Sequence, residues 1–367
     1  MRKLLCIDCR MISMSGIGRY ISELLPYIIK ELKEDVVLLG KKKDLLPYDA
    51  KVIKFDAPIY SIQEQMGYRK IIPESKLFWS PHFNIPLLPI NSQKRIATIH
   101  DAYHLAYCKE LSLLQKIYAK KVINSALKRS DKIITVSNFS KKEILHYTDQ
   151  KYKDKIEVVY NGVSDNKLEL INYPNELNKK PIPYLLYVGN IKPHKNLERA
   201  IEAYALFLKN HPEDKIKPLF KIVGKRDGFI NGSNNRLEEL LNEQPNLKNF
   251  IVFTGYITDI ELYKLYSEAI ALIFPSKYEG FGLPPLEAMK VKCPVLASDI
   301  PSIKEICGDS VLYFDPNSII DISKKINMIY SSKYLRNSLI IKGNKKYREY
   351  TWKESAKIHL NIFKKLL

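Results

Sequence analysis

Residues 269–290, AIALIFPSKYEGFGLPPLEAMK, run from an unbroken apolar stretch through a glycine-containing loop into a helical pattern. AIALIFP reads as a strand covered on both faces, the pattern that parallel sheets impose. Gly280 and Gly282 interrupt the chain behind it, and Pro284 and Pro285 suit a first helical turn, where missing backbone donors cost little. Strand, tight loop and helix in that order form the repeating unit of a doubly wound α/β sheet.

The same unit recurs on both sides. CPVLAS (293–298) and VLYF (311–314) follow it; PYLLYVGN (183–190), LFKIVG (219–224) and NFIVFTG (249–255) precede it. Further upstream come KLLCID (3–8), VVLLG (36–40), KVIKF (51–55), KLFWS (76–80), RIATIH (95–100), KIITVS (132–137) and IEVVY (156–160). Helices are expected from about Gly18 to Lys33, from Asn138, and over 110–129, where Leu114, Ile117, Tyr118, Val122 and Leu127 mark an apolar stripe. Residues 164–182 are polar, contain Asn, Asp and Pro, and lose the period, as a linker does. The chain thus reads as two Rossmann-like α/β domains, 1–163 and 183–350. A final amphipathic helix, 351–367, is able to cross back to the first domain.

A length of 367 residues with 46% hydrophobic and 27% charged residues fits two globular domains and excludes a disordered or fibrous chain. No run approaches the ~20 apolar residues of a spanning helix, and the first residues lead straight into a strand, so a cytoplasmic location is expected. Lys+Arg 59 against Asp+Glu 40 leaves +19, which favours an anionic partner. A Lys-rich AT-biased coding sequence would produce the same excess. Cysteines stand at 6, 9, 108, 293 and 307; Cys6 and Cys9 lie inside LLCIDC, and no second pair completes a zinc set, so buried thiols in a reducing compartment are expected. No Asp-x-Asp, HExxH, GxSxG or Walker lysine loop is present.

Ligands of such sheets bind past the carboxyl ends of strands. There the chain carries Glu279, the backbone amides of Gly280, Phe281, Gly282 and Leu283 at a helix start, and Glu287 one turn inside the helix. A helix start suits phosphate or sugar oxygens, and two separated carboxylates can address a reacting group and a more distant hydroxyl pair. Lys195 falls at another strand–helix turn, with Asn190 directly after the strand-ending Gly189. In the first half, His100 and Asp101 end a strand, Gly16 and Gly18 are placed in the turn after the first strand, and Phe83, Asn84 and Tyr103 follow strands. A G-x-G lacking its third glycine is not a dinucleotide fingerprint.

The segments EGFGLPPLEAM (279–289), CPVLASDIPSIKEICGD (293–309), YVGNIKPHKNL (187–197), VVYNGV (158–163), ATIHD (97–101) and SGIGRY (15–20) together resemble the retaining glycosyltransferases of the GT-B fold. The likeness is to the group 1, family 4-like branch of bacterial mannosyl- and glucosyltransferases. It implies two domains facing a cleft, the second binding a nucleoside-diphosphate sugar and the first the acceptor. GDP-mannose is the first expectation and a UDP-sugar the alternative; the acceptor would be a glycan or polyprenyl-linked glycan of O-antigen or capsule synthesis.

By the same resemblance Glu287 would bind the ribose hydroxyls and Glu279 the donor sugar near its reacting end. Amides of 280–283 would hold hydroxyls and the distal phosphate, and Lys195 the diphosphate. His100 would meet a donor-sugar hydroxyl, Gly16 and Gly18 would lie beside the diphosphate, and Phe83, Asn84, Asp101 and Tyr103 would face the acceptor. Asn190 stands where the family often has Arg, which removes one cation. No cofactor, metal or nucleic acid is expected. Lys116, Lys120, Lys121, Lys128 and Arg129 on the 110–129 helix would suit transient contact with an anionic membrane on its inner face. A sugar-nucleotide hydrolase or epimerase, a donor-binding homologue without transferase activity and a basic nucleic-acid binder are the rival readings.

Overall fold

Most of the apolar runs become strands of two all-parallel sheets in the computed structural model, which describes residues 4–107, 113–164, 182–213, 216–224, 235–255 and 257–367. The first sheet contains β1 (Leu5–Asp8), β2 (Val36–Gly40), β3 (Lys51–Lys54), β4 (Ser75–Ser80), β5 (Ser92–Thr98), β6 (Lys132–Thr135) and β7 (Ile156–Val158), in the order β3-β2-β1-β4-β5-β6-β7. The second contains β8 (Tyr184–Val188), β9 (Leu219–Val223), β10 (Ile251–Gly255), β11 (Ala271–Phe274), β12 (Val295–Ser298) and β13 (Leu312–Phe314), in the order β10-β9-β8-β11-β12-β13. LCID, VVLLG and ALIF are buried throughout, as strands sandwiched between helices must be. KVIK, at an edge, exposes its two lysines, a charge pattern that discourages edge-to-edge pairing.

The chain divides into two compact units, Met1–Gly162 with Tyr350–Leu367, and Val163–Glu349. The expected linker, 164–182, lies outside the described residues except for Ser164 and Ile182. Cys108 is also outside them, and the other four cysteines are free and buried. No helix among the described residues is long and apolar enough to cross a membrane.

Two helix expectations need correction. The first helix is Ser15–Leu32, so Gly16 and Gly18 belong to its opening turns and not to the preceding turn. The backbone of Met11 and Ile12 folds over Gly18, where an added Cβ would meet the Ile12 carbonyl oxygen at 2.3 Å, whereas Gly16 has open space around it. In helix Leu113–Arg129 the core stripe is Ala119, Val122, Ile123, Ala126 and Leu127, whereas Ile117 and Tyr118 are exposed. That stripe keeps the i, i+3, i+4 spacing of a single helix face, which the earlier residues leave. Lys120, Lys121, Lys128 and Arg129 are exposed; the side chains of Leu114 and Lys116 lie outside the described residues.

The last helix, Trp352–Lys364, is capped by Thr351, whose side chain accepts from Glu354 N, and packs on Ser15–Leu32 within the first unit. Its anchor is a hydrogen-bond chain whose direction is fixed by chemistry. The Ser355 carbonyl can only accept, so His359 Nδ1 (2.7 Å away) carries a proton and Nε2 accepts from the Tyr20 hydroxyl at 2.6 Å. Tyr20 in turn lies 3.2 Å from Thr98 Oγ1, which accepts from Trp79 Nε1 at 3.0 Å. Burial pushes the His359 imidazole down to about 4, so it stays neutral in the folded state.

A histidine near 6.5 when unfolded but near 4 when folded takes up its proton first in the unfolded chain. Stability contributed by His359 is therefore complete above about pH 6.5 and falls as the pH drops towards 4, by about 3 kcal/mol in all. Asp8, whose carboxyl is held below its usual range, adds a separate loss only below the ordinary carboxylate range. Urea unfolding at pH 7 and pH 4.5 should show this loss added to those of His82 and His100, whose imidazoles burial also lowers, and His359→Gln should reduce the pH slope by the His359 share alone; an equal pH slope in that variant would contradict the assignment.

Candidate active site

In the second sheet the chain crosses from β8 outward in one direction and from β11 in the other, so the loops after these neighbouring strands open a switch point. Lys195 ends the short turn Pro193–Lys195 after β8. Asn196 follows with φ +57°, and its buried amide donates to the carbonyls of Pro275 at 3.0 Å and Pro316 at 2.8 Å. Lys277 N donates to His194 O at 2.8 Å. These bonds stitch the β8 loop to the β11 loop and bring Lys195 Nζ to 2.6 Å from Glu279 Oε1. The two side chains keep 22% and 12% exposure, enough for an incoming anion to compete for the ammonium.

Beyond Glu279 the loop enters helix Leu283–Lys290 through Gly282, whose φ of +100° and whose position, 2.6 Å from Ile303 Cδ1 for an added Cβ, exclude any other residue without strain. Gly280 and Phe281 are buried, and Leu283 is half-buried at the helix start. Glu287 faces inward, and its Oε2 accepts from the Tyr266 hydroxyl at 3.3 Å. Asn190 is exposed, with its carbonyl accepting from Tyr187 Oη at 3.3 Å. Burial, and then the charge of Glu279, raise the Tyr187 phenol above its ordinary range, so it remains a neutral donor. Glu279, the 280–283 loop and Glu287 therefore belong to one strand–loop–helix end, after β11, and Lys195 reaches Glu279 from the neighbouring loop after β8.

The first sheet has its switch point between β1 and β4. A small recess there is lined by Asp8, Arg10, Met11, Ile21, Ile59, Ser80, Pro81, His82 and Asn84. Arg10 Nε and Nη2 clasp Asp8 at 2.9 and 2.7 Å, and Nη2 also reaches Glu64 Oε1 at 2.7 Å. Tyr68 donates to Asp8 at 2.6 Å, and Asn84 Nδ2 lies 2.8 Å from both Glu64 oxygens. The Arg10 guanidinium stacks over Phe55 and Tyr68 at 4.3 and 4.8 Å. Burial works to raise the Asp8 carboxyl, but the charge and hydrogen bonds of Arg10 outweigh it and hold it below its usual range.

His100 adjoins this recess. Its Nε2 lies 2.9 Å from the Pro81 carbonyl, which fixes the proton on Nε2 and leaves Nδ1 as the acceptor. Tyr20 packs edge-on against the ring at 4.8 Å, and burial lowers the imidazole pKa. His82, pushed down to about 3 by burial and then by His100 and His104, is neutral as well, and its Nδ1 accepts from Asn84 N at 3.2 Å.

Of the residues expected on this side, Asn84 lines the recess, whereas Phe83 is a core side chain packed with Ile85, Ala97 and Ile99. Asp101 caps a local turn by accepting from Tyr103 N at 2.9 Å, and Tyr103 stacks on Tyr107. Asp8, Arg10, Glu64, Tyr68 and His82 were not foreseen. The available signal was Asp8 itself, an ionisable residue closing an apolar strand.

Residues 171–346 match the family described as Glycosyl transferases group 1, and residues 74–167 match Glycosyltransferase Family 4. An O-antigen chain mannosyltransferase B from Escherichia coli is 26% identical over 96% of this chain and 97% of its own length. The O-antigen chain mannosyltransferase RfbU of Salmonella typhimurium is 32% identical over 66% of this chain and 61% of its own. Among solved structures, a sucrose-phosphate synthase from Thermosynechococcus elongatus superposes with a TM-score of 0.74 over 100% of this chain and 99% of its own, at 17% identity, a likeness of fold alone. The chain belongs to the group 1 glycosyltransferases and is an enzyme of the GT-B fold.

Proposed function

We propose that the chain transfers mannose from GDP-mannose, with retention of anomeric configuration, to a lipid-linked glycan during surface-glycan synthesis. The observation that carries this reading is the Lys195–Glu279 pair, 2.6 Å apart at the switch point of the second sheet. The mannose and the surface glycan follow the O-antigen mannosyltransferases to which the chain is similar.

In this reading the second unit holds the donor and the first unit the acceptor. Lys195 and the positive end of helix Leu283–Lys290 take the charge that grows on the departing diphosphate, without a metal ion. Glu279 orients the sugar near its anomeric carbon, and Glu287 receives the ribose hydroxyls. The leaving diphosphate oxygen accepts the proton of the attacking hydroxyl, and His100, neutral with its lone pair on Nδ1, accepts from a donor-sugar hydroxyl. A UDP-sugar fits the same groups and is the second reading.

A thermal-shift screen of GDP-mannose, UDP-glucose and ADP-glucose tests the donor, since a ligand bound only by the folded state raises apparent stability. GDP-mannose should give the largest shift, and Glu287→Ala should weaken its binding about tenfold or more, the scale of lost hydrogen bonds to a charged group. A larger shift with a UDP-sugar would overturn the choice of nucleotide, and unchanged affinity in Glu287→Ala the ribose role.

A further inference from the structure

Tyr60 combines three features that packing does not explain. Its backbone has φ +66°, a left-handed conformation that side-chain-bearing residues rarely hold. The residue is 48% exposed. And its own N–H donates at 2.9 Å to Glu64 Oε2, which belongs to a carboxylate with no solvent exposure at all. A buried acid thus clamps an exposed aromatic residue in a strained pose.

The surroundings combine flat rings with fixed polar groups. The Tyr60 ring meets Tyr118 edge-on at 5.9 Å and lies at 28° to Phe83 at 6.4 Å, while its hydroxyl is 3.5 Å from His82 Nε2. Since His82 Nδ1 accepts from Asn84 N, its proton is on Nε2, at the edge of the recess. Asn84 Oδ1 accepts only a long bond, 3.4 Å, from Tyr118 Oη. Flat rings with polar tips, beside a donor and an acceptor held rigidly, match a pyranose, which has a C–H face and hydroxyl edges. His100 is joined to the same loop through Pro81.

The network beneath selects charge. Asp8, Glu64 and Arg10 sum to −1, and Arg10 spends Nε and Nη2 on the two acids and Nη1 on the Ala57 carbonyl at 3.3 Å. A phosphorylated or acidic sugar would meet net negative charge.

We propose that Tyr60, with Tyr118, is the platform for an uncharged pyranose of the acceptor, and that Glu64 is the positioning residue that holds it. This rests on the reading of the first unit as the acceptor side. Glycine adopts φ +66° freely, so Tyr60→Gly removes the ring and the strain together.

The test uses the full chain with methyl α-mannoside, octyl α-mannoside and octyl α-mannoside 6-phosphate as acceptor probes. Binding is followed by ligand NMR line broadening, and transfer by steady-state kinetics. Tyr60→Gly should keep or raise the melting temperature, raise KM for both uncharged mannosides about tenfold, and leave donor KM unchanged. Tyr60→Phe should retain most of the acceptor affinity. The phosphorylated probe should bind worse than its uncharged parent in the wild type. An unchanged acceptor KM overturns the proposal, as does a loss confined to the octyl probe, which would make the ring a contact for an acyl chain. Should the wild type transfer to neither mannoside, the reading of the first unit as the side that takes a mannoside acceptor fails separately. Line broadening of methyl α-mannoside that disappears in Tyr60→Gly would still uphold the platform, and broadening that persists would overturn it.

Discussion

Lys195→Ala is expected to lower turnover about 10²-fold or more, the scale for losing one preorganised charge stabiliser. Lys195 is fixed by its neighbours: Asn196 is anchored to two carbonyls, and Lys277 N to His194 O, so the ammonium has little freedom to miss its target. Its partner Glu279 keeps some exposure, so the variant leaves a carboxylate that water can still reach, and stability should change little. Turnover should fall with a smaller effect on donor KM, because charge on the diphosphate is largest when the glycosidic bond breaks. Lys195→Arg should recover part of the rate. Near-normal turnover in Lys195→Ala would remove this lysine from the mechanism. The cation missing at Asn190 sharpens the test, since less charge is left to substitute for Lys195.

The largest effect on stability is expected from Arg10→Met. Arg10 is the cation that clasps both Asp8 and Glu64, and Glu64 has no solvent exposure. Removing the guanidinium leaves two carboxylates buried without a counter-charge, and losing one partner of such a cluster costs about 3–5 kcal/mol. The urea midpoint of the first unit should fall accordingly, and raising the proton concentration should recover part of the loss by neutralising the acids. A midpoint within about 1 kcal/mol of wild type would show that the network contributes little. Replacing Arg10, Asp8 and Glu64 together by apolar residues should cost far less than Arg10→Met alone.

The sheets were legible because strands buried on both faces appear as continuous apolar runs, and LCID, VVLLG and ALIF are such runs. The 279–287 loop and helix were legible because their spacing is local. What could not be seen was pairing across distance. Lys195 and Glu279 are 84 positions apart, and Asn84 reaches Glu64 over 20. Asp8 and Arg10 were hidden by position: they end a segment whose cysteines draw the eye. Ile117 and Tyr118 were misassigned because an apolar residue on a helix fixes no face until the neighbouring stripe is known, and the stripe of Ala119, Val122 and Ile123 lies elsewhere. The left-handed turn at Tyr60 has no signal at all, since glycine or asparagine would be the residue to look for.

The most direct measurement is a crystal structure with GDP-mannose bound. Distal phosphate oxygens should lie within hydrogen-bond distance of Lys195 Nζ, near the start of helix Leu283–Lys290, with the ribose hydroxyls on Glu287. A nucleotide bound elsewhere, with the 2.6 Å contact between Lys195 and Glu279 undisturbed and Glu287 away from the ribose, would contradict the account.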